Sequence, residues 1–491
     1  MTEVQQLARF VTGTDYSQLS DEAAEQLKIR VLDTVGVAIG ALDADPTVAV
    51  RGLTESLGGN GASTLIGGGS SAPDRAAFYN VALSRYLDFM DSYLAVGETN
   101  HPSDNLGAVL AAAESVGASG REFLTALACA YQVHTRLSDV APVRAKGFDH
   151  TTQGAYAVAA GVSRALGLSA EQTANAIAIA GTANNALRVT RTGSLSHWKG
   201  LAYPQVAKEG THAALLASVG ITGPQEVFEG NKGFKEAIAG DFHIDWSVED
   251  LESVRRTIVK KHNAEIHSQS AIDAAIAIRN RAGFDPLSVR EVRVTTFQVA
   301  YDIIGGGEEG DKLRIRTKEE ADHSLLYMIA VALLDGEVSP DQYAPGRITA
   351  DDVQRLLTRV TVRPDAAYSA RFPAEMPARV EVEFDDGSVL SAGATSYKGF
   401  HTDPLGWDDA LEKFHRLAAP FADDSLRDRI TAAVEDLDHR PVTDLTALLG
   451  QVALHRTTQP LPTDEDALPC PPPASTSSPA PTDPRSHARS A

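Results

Sequence analysis

A chain of 491 residues exceeds what one hydrophobic core can organise, since single cores stop growing near ~250–300 residues, so two domains plus any tail are expected. Asp plus Glu number 65 against 44 Lys plus Arg, and the resulting formal charge of −21 repels nucleic acid and anionic lipid at long range, which excludes both as partners. No basic, apolar, small-residue signal pattern opens the chain and no uninterrupted apolar run approaches the ~18 residues of a membrane span, so a soluble, cytoplasmic protein is expected.

Taken in chain order, most of the first 260 residues alternate alanine-rich helical segments with Gly, Pro, Ser and Asn. Ser20 before Asp21 and Glu22 is a good N-cap with acids in the first turn, leading into a segment whose apolar residues recur near helical spacing. Glycines at 67–69 precede a helix but lack the G-x-G-x-x-G spacing and the Gly-Lys-Ser/Thr ending of a phosphate loop, so they predict a simple turn. Further helices are expected over 74–93, 105–117, 120–136, 154–166, 170–182 and 204–219. The texture changes after about 270: strands are expected over 289–297 and 359–364, and 378–394 should form a hairpin turning at Asp-Asp-Gly. From about 405 the pattern returns to helix. The fold class is therefore mainly α with an inserted α+β domain. The expected division is 1–265 as the first segment of a helical domain, 266–404 as the α+β unit, 405–457 as the second helical segment, and 458–491 as a Pro/Ser-rich tail. That tail holds nine of the 24 prolines, a composition that predicts disorder.

The polar residues fall in a few places. In LDFMDSYLAVGETNHPSDNLG (87–107), Asp88, Asp91 and Ser92 would share one face if the helix ran through them, either as a solvated acidic face or as part of a site. His101 stands just before a helix start, with Ser103 or Asp104 available as N-cap. A histidine there feels the positive end of the helix dipole, which lowers its pKa and keeps the ring neutral and able to act as a base; local capping is the alternative. The arrangement recurs at Asp149 and His150, before a helix with Thr151 or Thr152 as cap. Arg188, Arg191, His197 and Lys199 then gather in a Gly/Ser-rich loop ahead of another helix, where basic residues are unfavourable unless an anion lies between them. Lys261, His262 and His267 fall at the expected domain junction, and His323, Ser324 and Tyr327 follow in a later helix. Clefts between domains are common ligand sites.

Only Cys129 and Cys470 are present, so no disulfide framework and no multi-cysteine zinc or iron–sulfur site can be built. No H-E-x-x-H, H-x-H or Asp-rich loop occurs either, so no metal and no cofactor are expected. Acid–base chemistry on a multiply charged anion fits the residues better.

With these motifs assembled, the sequence resembles the MmgE/PrpD family over about residues 5–450. The resemblance is carried by the stretch at 87–107, whose HPSDNLG ending is most similar to the 2-methylcitrate dehydratase branch. It is carried also by GFDHTTQGA, SHWKG, KKHNAEIHSQSAIDAA and EEADHSLLYMIAVALLDG in the same order. It implies a large helical domain from the N- and C-terminal parts, a smaller α+β lid between them, and a homodimer. Position by position it implies Asp88 as the active-site acid, Ser92 as its neighbouring hydroxyl, His101 and His150 as catalytic histidines, Lys199 as the pocket lysine, and His267 and Tyr327 as residues closing over the substrate. Many members carry threonine at the position of Ser92, and Asp149-His150 is similar to the dehydratase pattern.

The combined expectation is a cofactor-independent hydro-lyase that dehydrates 2-methylcitrate or a related tricarboxylate. Lys199, helix N-termini and Arg191 or Lys261 would supply the positive field, His101 with Asp88 behind it would be base or acid, and His150 its counterpart. The rivals are cis-aconitate decarboxylation, epimerisation of a small dicarboxylate, and a non-catalytic binding protein.

Overall fold

The computed structural model describes residues 1–453; the expected tail, 458–491, lies outside the described residues. The protein is mainly α with a small α+β portion, and among the described residues no helix is long and apolar enough to cross a membrane.

Ser20 caps the helix Asp21–Ile39 as its residue type predicts, its Oγ accepting from the Ala23 N–H at 3.1 Å. This helix is buried along most of its length, and Trp407–Ala418 lies against it. A Cβ at Gly36 would sit 3.1 Å from the Phe414 Cα, so a larger residue there would make the two helices give by a few tenths of an ångström. One continuous apolar core joins Ala23–Leu42, Ala76–Phe89 and Leu106–Tyr131 with side chains from Ala410 to Val452. The return to helix after 405 therefore adds to the core begun at the N-terminus.

A second core lies between a four-stranded sheet and the helices Gln269–Arg279 and Leu325–Asp335. The strands run in the order Val360–Pro364, Val289–Thr296, Ala378–Phe384, Val389–Ala394. The first pair is parallel and the other two are antiparallel, and the last two strands form the hairpin expected at Asp385-Asp386-Gly387. The glycines at 67–69 make a turn joining the short strands Ser63–Thr64 and Ser70–Ser71.

The expected helices appear with shifted ends, with one consequential exception. The helix expected over 74–93 is Pro73–Tyr86 and stops there. Asp88 takes a left-handed φ of 54°, and Asp91–Ala95 is a strand paired with both Glu98–Asn100 and Ile258–Val259. Asp88, Asp91 and Ser92 thus do not share a helix face. Tertiary pairing overrides the helical spacing because Val259 and Ile258 offer the backbone of Asp91 and Ser92 a buried strand to bond to. Similarly, the helix expected from 204 begins at Trp198 and carries Pro204 inside it.

Candidate active site

The hairpin at 91–100 and the turn at 102–105 bring His101 to a buried cavity. Asp91 fastens them together: its Oδ1 accepts from the Ser103 N–H at 3.0 Å and its Oδ2 from the Tyr131 hydroxyl at 2.8 Å. Neither Ser103 nor Asp104 caps the following helix Leu106–Ser115; Asn105 holds the cap position without a side-chain bond, and both Asp104 oxygens are buried without a hydrogen bond. Thr151 and Thr152 likewise lie inside their helix, and His150 takes the cap position.

His101 is positioned by its Nδ1, which is 2.9 Å from the Asp91 carbonyl and 3.0 Å from Ser92 Oγ. A carbonyl only accepts, so Nδ1 carries the proton and Nε2 is left with its lone pair. Asp88 was expected behind His101, but its hydrogen bonds go elsewhere. Lys260 Nζ is 2.7 Å from Asp88 Oδ1 and 2.6 Å from its backbone oxygen, and Lys199 Nζ is 3.5 Å from Oδ2. Burial would raise the Asp88 pKa, yet Lys260, Lys199 and Arg85 hold it well below the usual carboxylate range. Asp88 is therefore an anchored anion, and Lys260 pins its unusual backbone.

The His101 and His150 rings are 5.5 Å apart, edge to face. Burial, then Arg85 and Lys260, pushes His101 well below the ordinary histidine pKa; burial, then Arg191 and Arg85, does the same to His150. His150 Nδ1 lies 3.3 Å from Asp149 Oδ1, while its Nε2 is buried with no partner. Asp149 is itself held by Arg191 Nε at 2.6 Å. On the far side of His150 the Tyr203 ring stacks at 6.2 Å, and a Cβ at Gly154 would meet that ring at 2.6 Å.

The α+β unit closes the other wall. His267 Nδ1 is 2.6 Å from Glu265 Oε1, its Nε2 is buried without a partner, and the Phe297 and Phe372 rings pack on it. Burial alone would raise the Glu265 pKa, but His267, His323 and Lys260 bring it down to about 2. His323 Nδ1 is 2.7 Å from Asp322, which also takes Lys199 at 2.7 Å and Lys318 at 2.6 Å.

Of the residues expected from the sequence, Asp88, His101, His150, Arg191 and His267 line the cavity. Ser92 and Lys199 stand one layer behind, on His101 and on the Asp88–Asp322 pair. Lys261 and Tyr327 do not reach it. Lys261 turns outward to Asp273 at 2.7 Å, because side chains alternate along the extended chain after Val259 and it is Lys260 that faces inward. Tyr327 is buried in the second core and donates to the Gln342 carbonyl. Arg85, Glu98, Arg144, Arg188, Lys260, Glu265, Glu309 and His323 also line the cavity. The basic loop and the histidine-rich block gave a signal for Arg188 and His323; an arginine inside a helix, such as Arg85, gives none.

Among the described residues, Asp88, Asp322 and His323 offer ligand atoms within 4.8 Å of one another, the spacing a cation would need. The Lys199 ammonium already bridges Asp322 and Asp88 and supplies that positive charge.

Buried histidines with free ring nitrogens, set against arginines and lysines, are chemically equipped to move protons beside negative charge. The chain belongs to the MmgE/PrpD family: the N-terminal domain of that family matches residues 5–247 and its C-terminal domain residues 262–439. Among known proteins it is 26% identical to the mitochondrial 2-methylcitrate dehydratase of Yarrowia lipolytica over 481 residues, covering 91% of this chain and 89% of that one. It is 28% identical to 2-methylcitrate dehydratase of Cupriavidus necator, covering 80% and 84%, and 27% identical to that of Escherichia coli, covering 78% and 83%.

Proposed function

We propose that this enzyme is a hydro-lyase that dehydrates 2-methylcitrate, or a closely related tricarboxylate carrying a tertiary hydroxyl, by acid–base catalysis between His101 and His150. The observation that carries the reading is the pair of neutral-biased imidazoles 5.5 Å apart, each with one nitrogen tied and the other free, beside Arg85, Arg144, Arg188 and Arg191. Relatives named 2-methylcitrate dehydratase over most of the chain length support it.

Dehydration removes a proton from carbon and a hydroxide from the neighbouring carbon. His101 Nε2 has the lone pair to accept the C–H proton, and the ring becomes imidazolium, with its Nδ1–H still on the Asp91 carbonyl. The hydroxide needs a proton to leave as water. His150 is the better donor because Asp149, 3.3 Å from its Nδ1, steadies the charged ring. The free site holds both rings neutral, but a trianion brings negative charge that opposes the arginine field and raises both pKa values, so protonation of His150 accompanies binding. Arginines on the carboxylate beside the reacting carbon stabilise the charge that develops there when the proton leaves.

Incubation of purified protein with 2-methylcitrate, citrate, cis-aconitate and iminodisuccinate, with products resolved by mass, tests the reading. Loss of water from 2-methylcitrate or citrate is expected. Carbon dioxide loss from cis-aconitate alone, or isomerisation without change of mass, would replace it with decarboxylation or epimerisation.

A further inference from the structure

The inner cavity measures only about 40 Å³, room for roughly three waters, whereas small-molecule sites run to about 300–1,000 Å³. A tricarboxylate enters only if part of the lining moves. Most lining cations are already neutralised by the protein: Lys260 by Asp88, Arg191 by Asp149, and Arg85 by Asp88 and Asp104 at 3.8 and 3.6 Å.

The remaining pair, Arg144 and Arg188, is bridged by one carboxylate from the other unit, with Asp149 a longer second contact 3.8 Å from Arg188 Nη1. Glu309 Oε1 lies 2.5 Å from Arg188 Nη2 and 3.2 Å from Arg144 Nη2. Its second oxygen, Oε2, is buried with no hydrogen-bond partner, so only one of its two oxygens is engaged by the protein. Glu309 sits in the run GGGEEGDK (305–312), where Gly306 and Gly310 on either side adopt φ of 96° and 98°, a region open to glycine at no steric cost. It also separates the inner cavity from an outer one of about 300 Å³, lined by Gly193, Ser194, Lys312 and Arg314, and belongs to the wall of both.

We propose that Arg144 and Arg188 form the subsite for one substrate carboxylate and that Glu309 is a displaceable occupant of it, released toward the outer cavity when that carboxylate arrives. Glu309 then acts as a specificity determinant. A ligand lacking a carboxylate at this position cannot compete for the two guanidiniums and leaves the inner cavity shut. The proposal rests on the polycarboxylate reading above, but it concerns binding and is testable without turnover.

The probe is tricarballylate, a tricarboxylate without the hydroxyl that dehydration requires, titrated calorimetrically into the full chain. Glu309→Gln keeps the shape and removes the competing charge, so its Kd for tricarballylate should fall about tenfold or more, with Glu309→Asp between it and the wild type. Hydrogen exchange on the wild-type protein reads the same event without a substitution: amides of 305–312 should exchange faster when tricarballylate is bound, while the strand 91–95 becomes more protected. Unchanged or weaker binding by Glu309→Gln, or greater protection of 305–312 on binding, overturns the displacement. A protein that binds tricarballylate in the expected way yet leaves 2-methylcitrate unchanged would sink the dehydratase reading alone.

Discussion

Replacing His101 with alanine removes the ring whose Nδ1 is tied to the Asp91 carbonyl and whose Nε2 is left free toward the cavity. A positioned proton-transfer group is worth roughly 10²–10⁴-fold in rate, equal to about 2.7–5.4 kcal/mol of barrier at 1.36 kcal/mol per tenfold. The structural loss is smaller. His101 is 8% exposed and makes one hydrogen bond to a backbone carbonyl together with a contact to Ser92, and such a bond contributes about 0.5–1.5 kcal/mol out of a total near 5–15 kcal/mol. The variant should therefore fold, with KM little changed and kcat reduced by at least about a hundredfold. The assay follows ultraviolet absorbance of the unsaturated product from 2-methylcitrate, with melting temperature measured on the same preparation. A pH profile adds a second reading: burial with Arg85 and Lys260 depresses the His101 pKa, so the acid limb of kcat/KM should lie below pH 6.5 in the wild type and disappear in the variant. A His101→Ala protein that is destabilised yet keeps turnover within about threefold would refute the catalytic role.

Lys199→Ala should lower melting temperature and kcat more than it raises KM, because Lys199 sits on Asp322 and Asp88 behind the cavity wall and its loss leaves two buried carboxylates short of a cation, worth about 3–5 kcal/mol; a pure KM effect with unchanged melting would place its ammonium on the substrate instead. Acid should unfold the protein early: His101, His134, His150, His262 and His323 all have pKa values depressed below 6.5, that of His134 to about 3, so the unfolded chain binds protons the native one refuses. Their stabilisation is complete above pH 6.5 and is lost as pH falls from there toward the folded values. Asp104, raised to about 7, opposes them between its ordinary 3.8 and 7, and Asp91 and Glu98, which burial also raises, act in the same sense above their ordinary values; five histidines outweigh them, and denaturant midpoints that stay flat from pH 7 to 5 would contradict this balance. Dialysis against a chelator should leave turnover intact because Lys199 already supplies the positive charge between Asp88 and Asp322; activity lost to the chelator and restored by iron or zinc would count against it.

Much of the architecture is local and so was legible in the residues themselves. The Ser20 cap, the strands near 289 and 360 and the Asp-Asp-Gly hairpin depend on neighbours a few positions away, and each formed where its residue types placed it. The same holds for His101 and His150, which stand next to helix starts whatever the rest of the chain does. Three things depended on distant partners. The chain leaves the helix after Tyr86 because Ile258–Val259 pairs with Asp91 and Ser92, more than 160 positions away in sequence. Lys260 rather than Lys261 reaches Asp88 because that strand's register fixes which side chain points inward. Glu309 meets Arg144 and Arg188 because two separately cored units face each other across the cavity. Spacing along a chain determines which side chains share a helix or strand, whereas charge balance inside a cavity depends on which elements are packed around it, and only the folded molecule sets that.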